Sequence, residues 1–142
     1  MKKKNKIEDY VKLFESLNLT NLHKFDKLLD KNIYFEDPFN KVYGIENFKK
    51  IFSNTLNKLD NVEFKVLNII SKNNIYIIKW EMIYFAFNKT NSIFGLSEVS
   101  ISENNKIVSH IDYWDSYNNF YTKIPFFGLI FKFVLNLVRK RI

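Results

Sequence analysis

The stretch "YFEDPFNKVYGIENFKKIFSNTL", residues 34–56, decides how this chain is read. It opens inside an apolar run, and residues 33–37 read as a short strand that Pro38 stops, because proline offers no amide proton and forces its predecessor into an extended conformation. Gly44 closes the following loop. Ile45, Phe48, Ile51, Phe52, Leu56 and Leu59 then recur at helical spacing. Alternate strand residues share a face, so Ile33 and Phe35 carry Asp37 toward the core, while Tyr34 and Glu36 face outward. A carboxylate in apolar surroundings is suited to moving protons near neutrality. An Asp-Pro turn, with the carboxylate bonded to nearby amides, fits the same residues.

Upstream of this stretch, Ile7, Tyr10, Val11, Phe14 and Leu17 predict an amphipathic helix over 7–18. Leu22, Phe25, Leu28 and Leu29 predict a second helix over 21–30, with Thr20 or Asn21 as its cap. Downstream the texture is β. Strands are predicted at 62–71, 75–87, 93–103 and 106–114, separated by the turn-rich "SKNN" (71–74), "NKTNS" (88–92) and "ENN" (103–105). Helices first and a meander afterwards predict an α+β fold, with helices packed on one face of a curved antiparallel sheet.

Bulk properties exclude several functions. With 142 residues the chain is read as one domain, 1–142, with a core at 7–115 and an extension at 117–142. It has no cysteine and only two histidines, His23 and His110, so disulfides and thiolate or multi-histidine metal sites are excluded, and no metal or other cofactor is expected. The net charge of +7 resides in the tails: Lys2, Lys3, Lys4 and Lys6 at one end, Arg139, Lys140 and Arg141 at the other, leaving 15 residues of each sign in 7–138. A neutral body argues against a nucleic-acid interface, which needs a basic stripe across the fold. The lysine-rich start is not a secretory signal, since Glu8, Asp9 and Glu15 interrupt the apolar segment that would have to follow. The expected location is cytoplasmic, with peripheral membrane contact as an option. That option comes from "FFGLIFKFVLNLVRKRI" (126–142), apolar except for one narrow stripe. Each large apolar side chain gains roughly 1.5–3 kcal/mol on burial, so this helix needs a cover. Three covers are open: its own domain, a second copy, or an anionic membrane surface.

Two further groups carry candidate chemistry. In "SHIDYWD" (109–115), His110, Asp112 and Trp114 share one strand face, and Asp112 lies close enough to orient His110. On the long strand, Trp80, Met82 and Tyr84 share a face that suits either a core or a pocket wall.

With these residues assembled, the chain resembles the nuclear transport factor 2-like superfamily, and within it the ketosteroid-isomerase-like and polyketide-cyclase-type (SnoaL-like) proteins. The resemblance rests on residues 34–56 and on "NKIVSHIDYWD" (105–115), and the element order matches over 7–115. It implies a cone-shaped α-α-β-α-β-β-β-β fold with a deep apolar pocket, often dimeric. It also implies cofactor-free proton transfer of the isomerase, cyclase or dehydratase type on a small lipophilic substrate. It places Asp37 at the catalytic base, with His110 and Asp112 as further acid–base residues. Tyr10, Phe14, Trp80, Met82, Tyr84 and Trp114 become the substrate wall. The family's first-helix tyrosine position falls near Leu13 or Phe14, with Tyr10 one turn earlier as the substitute; its second aspartate falls near Ser97, beside Glu98. The alternative expectation is a lipophilic-ligand carrier without catalysis.

Overall fold

The computed structural model describes residues 6–140. The basic residues Lys2, Lys3, Lys4 and Arg141 lie outside the described residues. Helix α1 (Lys6–Glu15) turns Ile7, Tyr10 and Leu13 into the core, with Glu8 and Asp9 in its first turn and Lys12 in its last, as the helix dipole favours. A 3-10 turn, Leu22–Lys27, buries Phe25. Strand β1 (Leu29–Glu36) and the short β2 (Lys41–Tyr43) form a hairpin. Helix α2 (Ile45–Lys58) buries Phe48 and Phe52. A meander follows: β3 (Asp60–Lys72), β4 (Ile75–Ala86), β5 (Lys89–Ile101) and β6 (Ile107–Trp114). Helix α3 (Ser116–Asn119), a 3-10 turn (Tyr121–Lys123) and helix α4 (Phe127–Arg139) end the described chain.

The six strands form one sheet in the order β2-β1-β6-β5-β4-β3. The α+β cone and the apolar C-terminal helix expected from the sequence are present. The sheet is mixed, because β1 runs parallel to β6, while every other pair is antiparallel. Leu29 is already opposite Ile107, and the Ile107 amide donates to the Leu28 carbonyl. That pairing takes the end of the predicted second helix into β1. What remains, Leu22, Phe25 and Leu28, repeats every third residue, the period of a 3-10 helix.

Gly44 is needed where it stands. It has φ +89°, a conformation L side chains rarely adopt. From there its amide donates to the Ile33 carbonyl and its own carbonyl accepts the Phe48 amide, so one residue closes the hairpin and opens α2. The β4–β5 turn falls at Phe87 and Asn88, both with positive φ (53° and 58°). A two-residue hairpin of this kind lets β5 start at Lys89 rather than 93.

The core lies between the helices and the concave face of the sheet. Tyr10, Phe25, Phe35 and Phe48 are almost completely buried, with Leu29, Ile33, Val99 and Ile107.

Candidate functional site

One polar cluster is set into this aromatic core. His110 is 4% exposed, Ser97 3% and Tyr10 1%. The rings of Tyr10, Phe14, Phe35 and Phe48 surround the imidazole, with centroids 5.3–6.0 Å away. Strand pairing explains how such polar groups meet in an apolar environment. Ser97 on β5 is directly opposite Asp112 on β6, and Val99 is opposite His110. Trp80 on β4 is opposite Gly95, two residues before Ser97. A Cβ on Gly95 would come within 2.3 Å of the Trp80 ring, so the glycine lets the indole lie across β5.

The resulting network is continuous. Trp80 Nε1 donates to Ser97 Oγ over 2.7 Å, and the Ser97 hydroxyl donates to Asp112 Oδ1. His110 Nε2 lies 2.7 Å from the same oxygen and 3.1 Å from Ser97 Oγ. On the other side of the ring, Nδ1 is 2.6 Å from the Tyr10 hydroxyl. A carboxylate only accepts, so the imidazole proton sits on Nε2. In neutral His110, Nδ1 accepts from Tyr10; in the imidazolium, Nδ1 donates and the Tyr10 proton is released for another partner. Burial, reinforced by the charge of Asp112, holds the Tyr10 hydroxyl well above its ordinary pKa, so it remains a protonated donor. Both bonds to Asp112 use Oδ1, which leaves Oδ2 uncommitted.

A cavity of about 50 Å³ opens against this cluster. Its polar wall is Tyr10, Ser97, His110 and Asp112; its apolar wall is Val11 and Phe14 from α1, Phe52 from α2, Phe64 and Val66 from β3, and Ile78 and Trp80 from β4. The volume suits a few waters, at roughly 10–15 Å³ each, or the reactive end of a larger molecule. It is far below the ~300–1,000 Å³ of a pocket that swallows a ligand whole, because Phe25, Phe35, Phe48 and Phe52 fill the core and Phe14 and Phe64 pack against it. α1 is held over the cavity by Glu15, whose carboxylate accepts the Val66 amide at 3.0 Å.

Five of the residues singled out from the sequence meet at this site: Tyr10, Phe14, Trp80, His110 and Asp112. Asp37 is not among them. β1 ends at Glu36, and strand alternation ends with it. Beyond that point the Asp37 carboxylate accepts the amides of Phe39 (2.8 Å) and Asn40 (2.7 Å) and the side chain of Asn40, which is the Asp-Pro turn. Glu36 faces outward, 2.8 Å from Lys41. Met82, Tyr84 and Trp114 lie outside the cavity. Met82 is opposite Phe64 and Ile93, Tyr84 is packed and 6% exposed, and the Trp114 ring meets Phe39 edge to face at 5.3 Å. Sequence reasoning gave Ser97 no role of its own; the alternation of Ile93, Gly95, Ser97 and Val99 on β5 was the available signal. Phe52 was placed only on the apolar face of a predicted helix, and Phe64 lies in the strand predicted at 62–71.

A family model described as "Uncharacterized conserved protein (DUF2358)" matches residues 5–110. No curated protein sequence matches the chain. Solved structures share the fold. An NTF2-like protein of unknown function from Exiguobacterium sp. 255-15 superposes with a TM-score of 0.67 at 13% identity, covering 78% of this chain and 98% of the other. A candidate SnoaL-like polyketide cyclase from Jannaschia sp. CCS1 gives 0.68 at 9% identity, covering 78% and 85%. An LEH-like epoxide hydrolase from M. tuberculosis gives 0.65 at 13% identity, covering 81% and 79%. The chain has the nuclear transport factor 2-like fold.

Proposed function

The chain belongs to the DUF2358 family, and from its site we propose that it moves a proton on a small lipophilic carbonyl compound whose reactive end enters the cavity beside Asp112. The observation that carries this reading is the His110–Asp112 pair, sealed in an aromatic core, with one carboxylate oxygen uncommitted at an apolar cavity wall. Asp112 Oδ2 takes the proton from the carbon next to the carbonyl. In its imidazolium form His110 donates from Nε2 to Asp112 Oδ1 and from Nδ1 to the Tyr10 oxygen. The Tyr10 hydroxyl, which then accepts from Nδ1 and no longer donates to it, gives its own proton's hydrogen bond to the carbonyl oxygen as negative charge develops there. Asp112 then returns the proton to the same carbon or, where a conjugated double bond makes the intermediate a dienolate, to the γ-carbon, so the step is balanced without a cofactor. Ser97 and Trp80 hold Asp112 in place through the donor chain described above. A fold shared with a candidate cyclase and an epoxide hydrolase is compatible with such chemistry and does not specify it.

The test is deuterium exchange. A panel of small cyclic ketones and enones is incubated with the full chain in D2O, and exchange at the carbon next to the carbonyl is followed by proton NMR. The expected result is catalysed exchange by wild type, reduced at least about 100-fold in Asp112→Asn and by roughly 100- to 1,000-fold in Tyr10→Phe. Exchange at the wild-type rate in both Asp112→Asn and His110→Gln would sink the reading.

A second reading is a carrier of lipophilic ligands without catalysis. It is favoured by the closure of the network, in which Tyr10, His110, Ser97 and Trp80 each already bond to another member. Native mass spectrometry separates the two: a co-purifying apolar molecule that the protein leaves chemically unchanged supports the carrier.

A further inference from the structure

Helix α4 carries apolar surface that the fold leaves bare. Gly128, Phe131 and Leu135 face the body. A Cβ on Gly128 would lie 2.6 Å from the Thr122 carbonyl oxygen, Phe131 packs on Tyr121 at 5.2 Å, and Leu135 is half-buried. At about 100° per residue, these three span roughly 60° of the helix circumference. Phe127, Ile130, Phe133, Val134, Leu137 and Val138 fill the adjoining sector of roughly 140°, and all six are exposed, Phe133 by 64%. The remaining sector carries Lys132, Asn136, Arg139 and Lys140, with Leu129 among them. Residues 116–142 contain no aspartate or glutamate.

We propose that α4 is a docking helix that lies in the plane of an anionic phospholipid surface, with the bare apolar sector immersed and the basic residues at the headgroups. The charge decides the occupant. A segment with lysines and arginines and no carboxylate is complementary to anionic headgroups. Pairing with α4 of a second copy would offer these cations no counter-charge on the facing helix, and a two-helix seam covers only a narrow stripe, leaving much of the 140° sector wet. Spanning is ruled out by length: the 13 residues of α4 extend about 20 Å against roughly 30 Å of hydrocarbon, and no described helix is long and apolar enough to cross a membrane. Lys140 borders the apolar sector, so its stem reaches headgroup level when that sector is immersed, while Lys132 and Arg139 lie across the helix and add their charge to the attraction within about a Debye length of the surface. Ring contacts tie the docked helix to the body, from Phe131 to Tyr121 (5.2 Å), Tyr121 to Phe39 (6.0 Å) and Phe39 to Trp114 (5.3 Å). That line ends two residues beyond Asp112 on β6.

The experiment is co-sedimentation of the full chain with extruded vesicles, either pure phosphatidylcholine or phosphatidylcholine with about 30% phosphatidylglycerol. Wild type is expected to pellet with the anionic vesicles, at least about fivefold more weakly with the neutral ones, and progressively less as salt rises from about 0.1 to 0.5 M. Ile130→Asp/Phe133→Asp is expected to lose at least about tenfold in vesicle affinity, with an unchanged far-UV spectrum and Tm because both residues are exposed. Lys132→Glu/Arg139→Glu/Lys140→Glu is expected to fall to the neutral-vesicle level. The proposal is overturned if wild type stays in the supernatant with both vesicles, or pellets equally with both. It is also overturned if the apolar double variant pellets like wild type. Absence of vesicle binding together with a dimer, by light scattering, that Ile130→Asp/Phe133→Asp dissolves would assign α4 to a subunit interface instead.

Discussion

Tyr10 and His110 are one hundred residues apart in sequence and 2.6 Å apart in space. Their contact sets the proton positions at the site, and it makes a measurable prediction. Tyrosine has an unperturbed pKa of 10.0, and burial raises that of Tyr10 well above it. The unfolded chain therefore releases this proton near pH 10 while the folded chain keeps it. The contribution is intact below pH 10 and is lost as pH rises through the folded pKa. Above pH 10 stability should fall by about 1.4 kcal/mol per pH unit for this one group. Urea unfolding at about pH 8 and pH 11 should show that decline steeper in wild type than in Tyr10→Phe, which has no proton to lose. Tyr84, also raised by burial, is common to both proteins and cancels. At neutral pH, Tyr10→Phe should cost about 1–2 kcal/mol for the lost hydrogen bond. Strand parity made the His110–Asp112 pair legible in the sequence. It did not reveal Tyr10 as the partner of His110, because helical periodicity says which face is buried and not which strand it meets. Asp37 shows the opposite limit. Its parity with Ile33 and Phe35 was sound for a strand, but the strand ends one residue earlier and the carboxylate satisfies turn amides instead.

At the scale of elements, Trp80 on β4 crosses Gly95 on β5 to reach Ser97, and this crossing positions the acceptor end of the network. Gly95→Ala would place a methyl group where the indole lies. The ring must shift, breaking the Trp80–Ser97 bond, at a cost of about 1–3 kcal/mol as in other overpacked cores. Denaturant unfolding checks the stability, and a change in tryptophan fluorescence checks the displacement; an unshifted midpoint and spectrum would contradict the account. Most elements were legible because their periods are strong. α1, α2 and the four-strand meander are where the spacing of apolar residues puts them. The second helix was not, because Leu28 and Leu29 are claimed by pairing with β6, a long-range contact that no local window contains. The β4–β5 turn was hidden for a different reason. Phe87 adopts positive φ, where asparagine or glycine would have been the readable signal.

At the scale of the molecule, the parallel pairing of β1 with β6 closes the cone and brings Phe35 opposite His110. α4 stands apart from this closure. Among the described residues of α4 only Gly128, Phe131 and Leu135 are buried or half-buried, so a chain ending at residue 125 should keep its cooperative unfolding. The expected loss is about 2 kcal/mol for two half-buried side chains, or a Tm drop of no more than roughly 8 °C, read by circular dichroism; loss of the cooperative transition would mean that α4 belongs to the core. The sequence by itself determined the α+β class, the superfamily likeness, the inward faces of β4 and β6, and an apolar helix at the end. These follow from local periodicity and from residues two or three apart, which a single strand or helix fixes on its own. Tertiary structure alone decided that Tyr10, Ser97 and Trp80 converge on His110 and Asp112, that Asp37 is a turn residue, and that aromatic packing narrows the cavity to about 50 Å³. Those outcomes depend on strand register and on how α1 seats against β3 and β6, and both are set by packing between segments far apart in the chain.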